Sequence, residues 1–222
     1  MATNSQYTCS IESVISIFMV DKGITKVLLS RRDKEPYKGY WALPGRLLKN
    51  TETIEDCITD CVLEQTGIMS LYMRQCHTLS TVDRINDDRV VAVSYIGLID
   101  PVTLLIKQEI PKNVELEWFD IDKLPKLAFD YEEIFIKTLE MLKTQIANVN
   151  TLKYLFPSDF SIPELQKTYE NILNITIDRR NFRKKLLNLN IIEDTKDVSD
   201  GSKGRPAMLY RFKEDVKDVT LI

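Results

Sequence analysis

Histidine and paired cysteines are scarce in this sequence. Among its 222 residues there is one histidine, His77, and none of the four cysteines forms a Cys-x-x-Cys pair. A structural zinc site needs four such ligands at close spacing, so we expect none. A chain of this length can bury a full core without disulfides, which indicates reduced thiols of the kind found in the cytoplasm. We expect neither a metal nor another cofactor.

Long apolar runs and a targeting segment are also missing. No apolar run approaches the roughly 18 residues that a membrane-spanning helix needs. Residues 1–13 are polar and lack the charged-then-apolar order of a signal peptide. We therefore expect a cytoplasmic protein that does not bind a membrane.

The charge balance differs between the two parts of the chain. Overall, 44% hydrophobic and 28% charged residues with a net charge of −3 are typical of a globular protein with one large domain or two modest ones. Residues 1–150 carry 17 Lys and Arg against 22 Asp and Glu, whereas residues 151–222 carry 13 against 11. The C-terminal part is slightly basic, and whether this indicates a binding surface depends on where its basic residues lie.

The first part of the chain has the patterns of a mixed α/β structure. Residues 13–20 and 26–32 are apolar, β-branched runs joined by a short glycine-containing turn, which predicts a β-hairpin. Residues 88–99 and 114–125 predict two further strands. Residues 130–147 have apolar side chains at helical spacing and predict an amphipathic helix. Strands and helices in this mixture pack as layers.

The character of the sequence changes after residue 148. Ser161 and Glu164 have the spacing of a helix-capping box, and residues 176–190 predict a further helix. Two short strands around a basic, glycine-rich loop follow, so that helices and a hairpin fill about 70 residues in the order of a winged helix-turn-helix. We predict two domains, with the bounds 1–148 and 149–222.

Residues 41–68 resemble the signature of the Nudix family. The box of that family follows the pattern Gly-x5-Glu-x7-Arg-Glu-U-x-Glu-Glu-x-Gly-U, where U is a bulky apolar residue. From its first glycine to its last apolar residue, the specified positions are occupied in this chain by Arg46, Glu52, Asp60, Cys61, Val62, Glu64, Gln65, Gly67 and Ile68.

The replacements within this box remove most of a metal site. Positions 61, 64 and 65 share one helix face, where three carboxylates can hold Mg²⁺ against a diphosphate. This chain offers Glu64 alone, with a thiol at Cys61 and an amide at Gln65. An amphipathic helix whose cysteines pack on the sheet as small apolar side chains explains the same residues. We therefore interpret the box as a mark of the fold, and expect no catalytic residue and no metal site.

A concentrated basic segment lies in the predicted helix 176–190. It carries five Lys and Arg against one acidic residue, Asp178. The predicted buried stripe is Ile175, Phe182, Leu186 and Leu189, and most of the basic residues lie opposite to it. As the third helix of a helix-turn-helix, this segment predicts insertion into a DNA major groove. The candidate DNA contacts are Arg180, Arg183 and Lys184 for bases or phosphates, Arg179 and Lys185 for phosphates, and Asn181 at the edge of the face.

The predicted wing is also basic. Lys203 and Arg205 lie on a loop loosened by Gly201 and Gly204 and stiffened by Pro206. Such a loop can contact phosphates or enter the minor groove. A hairpin that packs against another domain or subunit explains the same pattern, and a basic helix can also bind an acidic protein partner. We predict that helix and wing together bind double-stranded DNA.

Over nearly its whole length, the chain resembles the NrtR-type transcriptional regulators, which are related to Nudix proteins. The segments that carry this resemblance, besides the box, are RRNFRKK in the basic helix and GRPAMLYRF in the wing. The resemblance implies a Nudix-like α/β/α sandwich with a mixed sheet, followed by a C-terminal winged helix-turn-helix domain. It also implies a homodimer that binds a palindromic operator and senses a small metabolite.

The effector of such a regulator stays open between two classes. An ADP-ribose-like nucleotide suits the Nudix ancestry, whereas a pentose suits the resemblance to the arabinose-responsive branch of these regulators. The candidate pocket groups, which we expect to converge, are Arg46, Asp83, Arg84 and Arg89. The main alternative function is an active Nudix pyrophosphohydrolase that acts on a nucleoside diphosphate derivative.

Overall fold

The computed structural model describes residues 8–82, 84–85, 88–112, 114–156, 159–199, 206–214 and 221. Within them, the first part of the chain forms one sheet of seven strands with helices on both faces. The strands are β1 (Ser10–Asp21), β2 (Ile24–Arg31), β3 (Trp41–Ala42), β4 (Gly45–Leu47), β5 (Tyr72–Leu79), β6 (Val90–Leu98) and β7 (Leu116–Asp120). The helices are α1 (Ile54–Thr66), α2 (Pro101–Lys107) and α3 (Tyr131–Gln145).

Strand β1 lies at the centre of this sheet. It pairs parallel with β6 and antiparallel with β2 and β4, while β7 extends the sheet beside β2 and β5 beside β6. Because successive side chains of a strand point to opposite faces, Val14 and Phe18 pack towards α3, whereas Ile15 and Ile17 pack towards α1. The result is the expected α/β/α sandwich with a mixed sheet.

Most of the predicted elements of this part are confirmed. β1 and β2 form the predicted hairpin, and its turn at Lys22 and Gly23 has the positive φ angles that favour glycine. β6, β7 and α3 lie within the predicted segments 88–99, 114–125 and 130–147. Helix α2 and the strands β3, β4 and β5 are additional elements.

The second part of the chain combines helices with a small three-stranded sheet. Its helices are α4 (Val149–Leu152), α5 (Ile162–Leu173) and α6 (Arg179–Asn188), and its strands are β8 (Phe160–Ser161), β9 (Ile192–Val198) and β10 (Met208–Phe212). β10 lies between β8 and β9. Helix α5 begins as predicted, because the Ser161 hydroxyl accepts a hydrogen bond from the Glu164 N–H. No helix among the described residues is long and apolar enough to cross a membrane.

Helix α6 is shorter than the predicted helix 176–190. Asp178 is its N-cap, since the carboxylate accepts a hydrogen bond from the Asn181 N–H at 2.8 Å, and the helix begins at Arg179. Ile175 therefore precedes the helix and is exposed, so its assignment to the buried stripe is wrong. Asp178 acts as a cap rather than as a charge on the helix surface.

Helix α5 packs against the seven-stranded sheet through Asn171. Its side-chain oxygen accepts a hydrogen bond from the Thr25 N–H at 2.7 Å, and its NH₂ group donates to the Asp122 carboxylate at 2.9 Å. The Tyr169 hydroxyl of the same helix donates to the Ile146 carbonyl after α3. One apolar cluster runs through both parts of the chain, and the domain boundary at residue 148 stays a prediction.

Candidate functional site

The loop and helix of the Nudix-like box are held at both ends by local structure. Thr53 and Asp56 form a reciprocal capping box at the start of α1, in which each side chain accepts a hydrogen bond from the backbone N–H of the other residue. At the other end, Gly67 has a φ of +70°, and a Cβ there would lie 1.9 Å from the Glu109 carbonyl oxygen. The backbone therefore requires the glycine that closes the box, whatever chemistry the box performs.

The buried face of α1 contains both cysteines of the box. Cys57, Ile58, Cys61 and Val62 are at most 1% exposed, as the amphipathic stripe predicts. Burial raises the pKa of the Cys61 thiol to about 12, so that this thiol is neutral near pH 7. Because the thiolate is the form that binds metals, and because Mg²⁺ prefers oxygen ligands, Cys61 cannot take the place of a magnesium-binding carboxylate.

The amide of Gln65 holds the loop at β4. Its Nε2 donates a hydrogen bond to the Gly45 carbonyl at 2.8 Å, and its Oε1 accepts one from the Gly45 N–H at 3.3 Å. A glutamate at this position lacks the donor for the first of these bonds and would place its charge against the carbonyl oxygen. Gln65 therefore has a structural role that a metal-binding carboxylate would not fill.

Arg46 lies among the acidic side chains of the box. Its guanidinium donates two hydrogen bonds to the Glu52 carboxylate, at 2.6 and 2.9 Å. The nearest carboxylate oxygens of Asp60 and Glu64 lie 3.5 and 4.0 Å from its nitrogens. The hydrogen bonds from Arg46, with a further one from the Lys49 N–H, lower the pKa of Glu52 to about 2. Arg46 thus supplies a guanidinium beside position 60, where the family pattern has an arginine and this chain has Asp60.

The residues at this site do not fit the magnesium ion that the family's box can hold. The three positions for carboxylates are occupied by a buried neutral thiol at Cys61, an amide bonded to the backbone at Gln65, and Glu64 near a guanidinium. Across the described part of the chain, no group of three or more His, Cys, Asp and Glu residues is arranged to hold a metal ion. No chemical step can be assigned to a metal here.

A cleft of about 320 Å³ opens beside this loop and helix. Its walls come from the end of β2, the β3–β4 segment, the last turn of α1 and the start of α3. Its lining residues are Ser30, Arg31, Arg32, Asp33, Lys34, Ala42, Leu43, Gly45, Glu64, Gln65, Val114 and Tyr131. Arg31, Arg32 and Lys34 lie together in this lining with Asp33, and Arg31 is paired with Glu115. We name this cavity the β2 cleft.

Aromatic rings lie beside the β2 cleft. The Arg32 guanidinium lies 4.6 Å from the centre of the Phe129 ring, and Phe129 in turn packs against Tyr37 with ring centres 4.9 Å apart. Tyr37 also contacts Tyr40, and both tyrosines are exposed. The rim of the cleft thus combines positive charge with aromatic surface, two features that suit a phosphate and a planar base.

A buried ion-pair network lies behind Tyr131. Arg84 donates two hydrogen bonds to the Asp130 carboxylate, both at 2.8 Å, and one to Glu12 at 2.9 Å. The Tyr131 hydroxyl donates to the other oxygen of Glu12 at 2.6 Å. Burial and the adjacent Glu12 carboxylate raise the pKa of Tyr131 well above its ordinary value, so the hydroxyl remains a donor. The Arg84 guanidinium is occupied by these contacts and positions Tyr131 at the β2 cleft.

The structure does not bring the predicted effector contacts together. Arg46 pairs with Ser13 of β1 and lies on the α1 face of the sheet, whereas Arg84 bonds to Glu12, the preceding residue, on the α3 face. Arg89 is exposed and donates a hydrogen bond to the Thr81 carbonyl. Asp83 lies outside the described residues. The cleft residues Arg31, Arg32 and Lys34 are not among the effector contacts predicted from the sequence. They lie at the end of the predicted strand 26–32 and just after it, and this cluster of cations at a strand end is the signal that the sequence offers.

The basic face of α6 points away from the core. Phe182 and Leu186 are buried, and the Phe182 ring lies 5.8 Å from that of Tyr169 in α5. The Arg183 guanidinium donates a hydrogen bond to the Tyr210 hydroxyl in β10 at 3.1 Å. Lys203 and Arg205, predicted in the wing, lie outside the described residues. Every predicted contact on the helix itself is exposed: Arg179, Arg180, Asn181, Arg183, Lys184 and Lys185.

Comparisons with known proteins bear on both parts of the chain. The model of the NUDIX domain matches residues 11–138, and the model of the NrtR DNA-binding winged helix domain matches residues 153–212. An ADPR responsive transcriptional repressor from Acinetobacter baylyi is 32% identical over 202 residues, which cover 89% of this chain and 80% of that protein. This chain belongs to the NrtR family of Nudix-related transcriptional regulators.

Two further relatives differ in how much of the chain they match. The structure of NrtR from Shewanella oneidensis, complexed with a 27mer DNA, is 26% identical with a TM-score of 0.75 and covers 91% of this chain and 93% of that one. An ADP-ribose pyrophosphatase from Methanocaldococcus jannaschii is 30% identical over 129 residues, 58% of this chain and 75% of that protein. The enzyme's match is confined to 129 residues, whereas the NrtR match extends over both parts. The NrtR-type resemblance is confirmed, and the chain is a DNA-binding transcriptional regulator.

Proposed function

We propose that this chain is a transcriptional repressor that responds to ADP-ribose or a closely similar nucleotide and has no hydrolase activity. Its effector binds in the β2 cleft, and two copies present their winged helices to a palindromic operator. The observation that carries this proposal is the exposed basic face of α6, joined in one chain to a Nudix fold whose cleft has a cationic rim.

DNA binding is supported by the distribution of charge on α6. Phe182 and Leu186 fix the buried side of the helix, so five cationic side chains face solvent within two turns. We assign Arg180, Arg183 and Lys184 to bases or phosphates. Arg180 and Lys184 lie opposite the buried side, which favours the deepest entry into a major groove, and Arg183 lies at the flank of the helix beside Tyr210. The remaining candidates, for phosphate contacts or at the edge of the interface, are Arg179, Asn181, Lys185, Lys203 and Arg205.

A nucleotide effector suits the β2 cleft better than a pentose does. Arg32 and Lys34 offer positive charge to a diphosphate, and Arg31, which is paired with Glu115 at 3.2 Å, lies beside them. A neutral sugar makes no use of this charge. The exposed rings of Tyr37 and Tyr40 offer a surface on which a base can stack. The Acinetobacter baylyi relative is named for its response to ADPR, which agrees with this chemistry. We therefore choose the nucleotide over the pentose.

The proposed absence of hydrolysis rests on the residues that occupy the metal-binding positions of the box. Cys61 and Gln65 serve the core and the loop, and only Glu64 retains a metal-binding type of side chain at the three positions. Incubation with ADP-ribose and Mg²⁺ or Mn²⁺ should give no product. Turnover at ordinary enzymatic rates that is lost in Glu64→Gln would overturn this part of the proposal and favour a pyrophosphohydrolase.

The test of DNA binding is fluorescence anisotropy with DNA from upstream of the protein's own gene. Arg180→Ala should weaken binding by about tenfold and reduce the slope of log affinity against log salt by about 1, because one phosphate or base contact is lost. Arg74→Ala is the matched control, since Arg74 is exposed on β5, far along the chain from α6. Equal affinities for both variants would contradict the assignment of α6 as the recognition helix.

The test of the effector is isothermal titration with ADP-ribose, AMP, ribose and arabinose. ADP-ribose should bind, and Arg32→Ala should weaken it by about tenfold to a hundredfold, because a charge-assisted hydrogen bond contributes about 1.5–3 kcal/mol. Arg74→Ala again serves as the control. Tight binding of arabinose with no binding of ADP-ribose would reverse the choice between the two effector classes.

A further inference from the structure

Three acidic side chains of the box, Glu52, Asp60 and Glu64, surround the guanidinium of Arg46. Arg46 is 14% exposed in its side chain, and its guanidinium faces carboxylates from the loop before α1 and from two turns of the helix. The closest of them is Glu52, at 2.6 Å, followed by Asp60 and Glu64. An arginine stays protonated at all accessible pH values, so the positive charge at this position is permanent.

The position of Arg46 in the family pattern makes this arrangement informative. The pattern has a glycine there, which leaves the space above the helix free, and this chain fills that space with a side chain. The three carboxylates lie within hydrogen-bond or ion-pair distance of different nitrogens of the guanidinium: Glu64 nearest Nε, Asp60 nearest one terminal nitrogen, and Glu52 across both. One guanidinium thus compensates charges contributed by the loop and the helix.

A divalent cation would have to compete with this guanidinium for the same oxygen atoms. Two positive charges a few ångströms apart repel each other, and the Arg46 side chain cannot lose its proton to relieve that repulsion. Both oxygens of the Glu52 carboxylate are already engaged by Arg46, and Oε1 also accepts a hydrogen bond from the Lys49 N–H at 2.7 Å. Metal binding would therefore require the loop to open.

We propose that Arg46 is a built-in replacement for a divalent cation, which stabilises the acidic surface of α1 and excludes metal from it. Stability of the folded chain is consequently independent of Mg²⁺ and Mn²⁺. This inference does not depend on which effector the cleft binds, since it concerns the protein and the metal alone.

The experiment compares thermal unfolding of the full chain in millimolar MnCl₂ and in excess EDTA. The wild type should unfold at the same temperature in both. Arg46→Gln removes the cation and leaves Glu52, Asp60 and Glu64 uncompensated, so this variant should unfold at a lower temperature in EDTA. The three carboxylates are not arranged to hold a metal while Arg46 lies among them, but without it they can rearrange around Mn²⁺, and the variant should recover by a few °C with saturating metal. Arg46→Lys keeps the charge and is the matched control, which should respond to Mn²⁺ as little as the wild type does.

Two outcomes would overturn the proposal: a saturable response of the wild type to Mn²⁺, or an Arg46→Gln variant that is destabilised and indifferent to the metal. If Arg46→Gln does not fold, the electron paramagnetic resonance signal of free Mn²⁺ keeps the test open, because stoichiometric wild-type protein should leave that signal undiminished. Loss of the signal would contradict the proposal. A failure of ADP-ribose to bind in either buffer would affect the proposed effector alone.

Discussion

Replacement of Asn171 by alanine should loosen the winged helix from the Nudix sheet. The change leaves the Thr25 N–H, in a residue with no exposed surface, without its acceptor at 2.7 Å. An unsatisfied buried donor costs about 1–3 kcal/mol, and the more exposed hydrogen bond to Asp122 adds at most about 1 kcal/mol. We expect Asn171→Ala to lower the free energy of unfolding by about 2 kcal/mol.

Urea denaturation followed by tryptophan fluorescence measures this change, since Trp41 and Trp118 both lie in the sheet that Asn171 contacts. Asn188→Ala, at an exposed position of α6, is the matched control and should change the free energy by less than about 0.5 kcal/mol. Asn171→Asp keeps an acceptor for Thr25 but faces a second carboxylate, so its stability should be intermediate. Equal stability of Asn171→Ala and the wild type would refute the attachment of α5 to the sheet.

The same variant should also weaken the communication between effector and operator. β2 reaches the β2 cleft at Ser30 and Arg31, and at its other end Thr25 bonds to Asn171. Helix α5 then contacts α6 through Tyr169. Anisotropy with and without ADP-ribose gives the ratio of operator affinities, and in Asn171→Ala this ratio should move towards one. An unchanged ratio would mean that coupling passes through other contacts.

The remaining predictions concern the packing of the Nudix fold. Gly67→Ala should lower the free energy of unfolding by at least about 1–2 kcal/mol in urea, because its φ is left-handed and its Cβ would overlap the Glu109 carbonyl. Arg84→Met should lower the free energy of unfolding by about 3–5 kcal/mol, because the Asp130 and Glu12 carboxylates would keep their charges without a partner. Thermal melts measure this change, and a variant that melts like the wild type would contradict the prediction. Cys61 has a folded pKa of about 12 against 9.0 for the free thiol, so the unfolded state ionises first and stability should fall between pH 9 and 12. Cys61→Ala should remove that part of the slope, and a slope as steep as that of the wild type would refute the assignment.

Elements with a strong local pattern could be predicted from the sequence. The apolar run and glycine turn of the β1–β2 hairpin, the stripe of α1 and the Ser161 cap of α5 are all local signals, and each is found in the structure. β5 gave no such signal, because it is an edge strand whose side chains at Arg74, Gln75 and His77 are exposed. The pairing of β5 with β6 therefore depends on backbone hydrogen bonds within the sheet and not on an alternation of apolar and polar residues in β5.

The site itself was less predictable than the fold, because its contacts join distant parts of the chain. Arg84 forms hydrogen bonds with Glu12 and Asp130, which are 72 and 46 residues away along the chain. No local spacing in the sequence predicts these contacts. The sequence shows Arg46 as an exception to the box, but the role of this arginine depends on the direction of its side chain. In the structure Arg46 pairs with Ser13 and therefore lies on the other face of the sheet from Glu12, which binds Arg84. The sequence alone does not give this register between β1 and β4.

The bond between Gln65 and Gly45 determines how easily the box could acquire metal-binding carboxylates. Gln65→Glu alone would break the hydrogen bond to the Gly45 carbonyl, and Cys61→Glu alone would place a carboxylate where no surface is exposed. Each of these single changes therefore lowers stability before any metal could bind and offset the cost. Carboxylates at both positions would therefore have to arise through several changes at once, with new partners for the Gly45 carbonyl and for the buried face of α1.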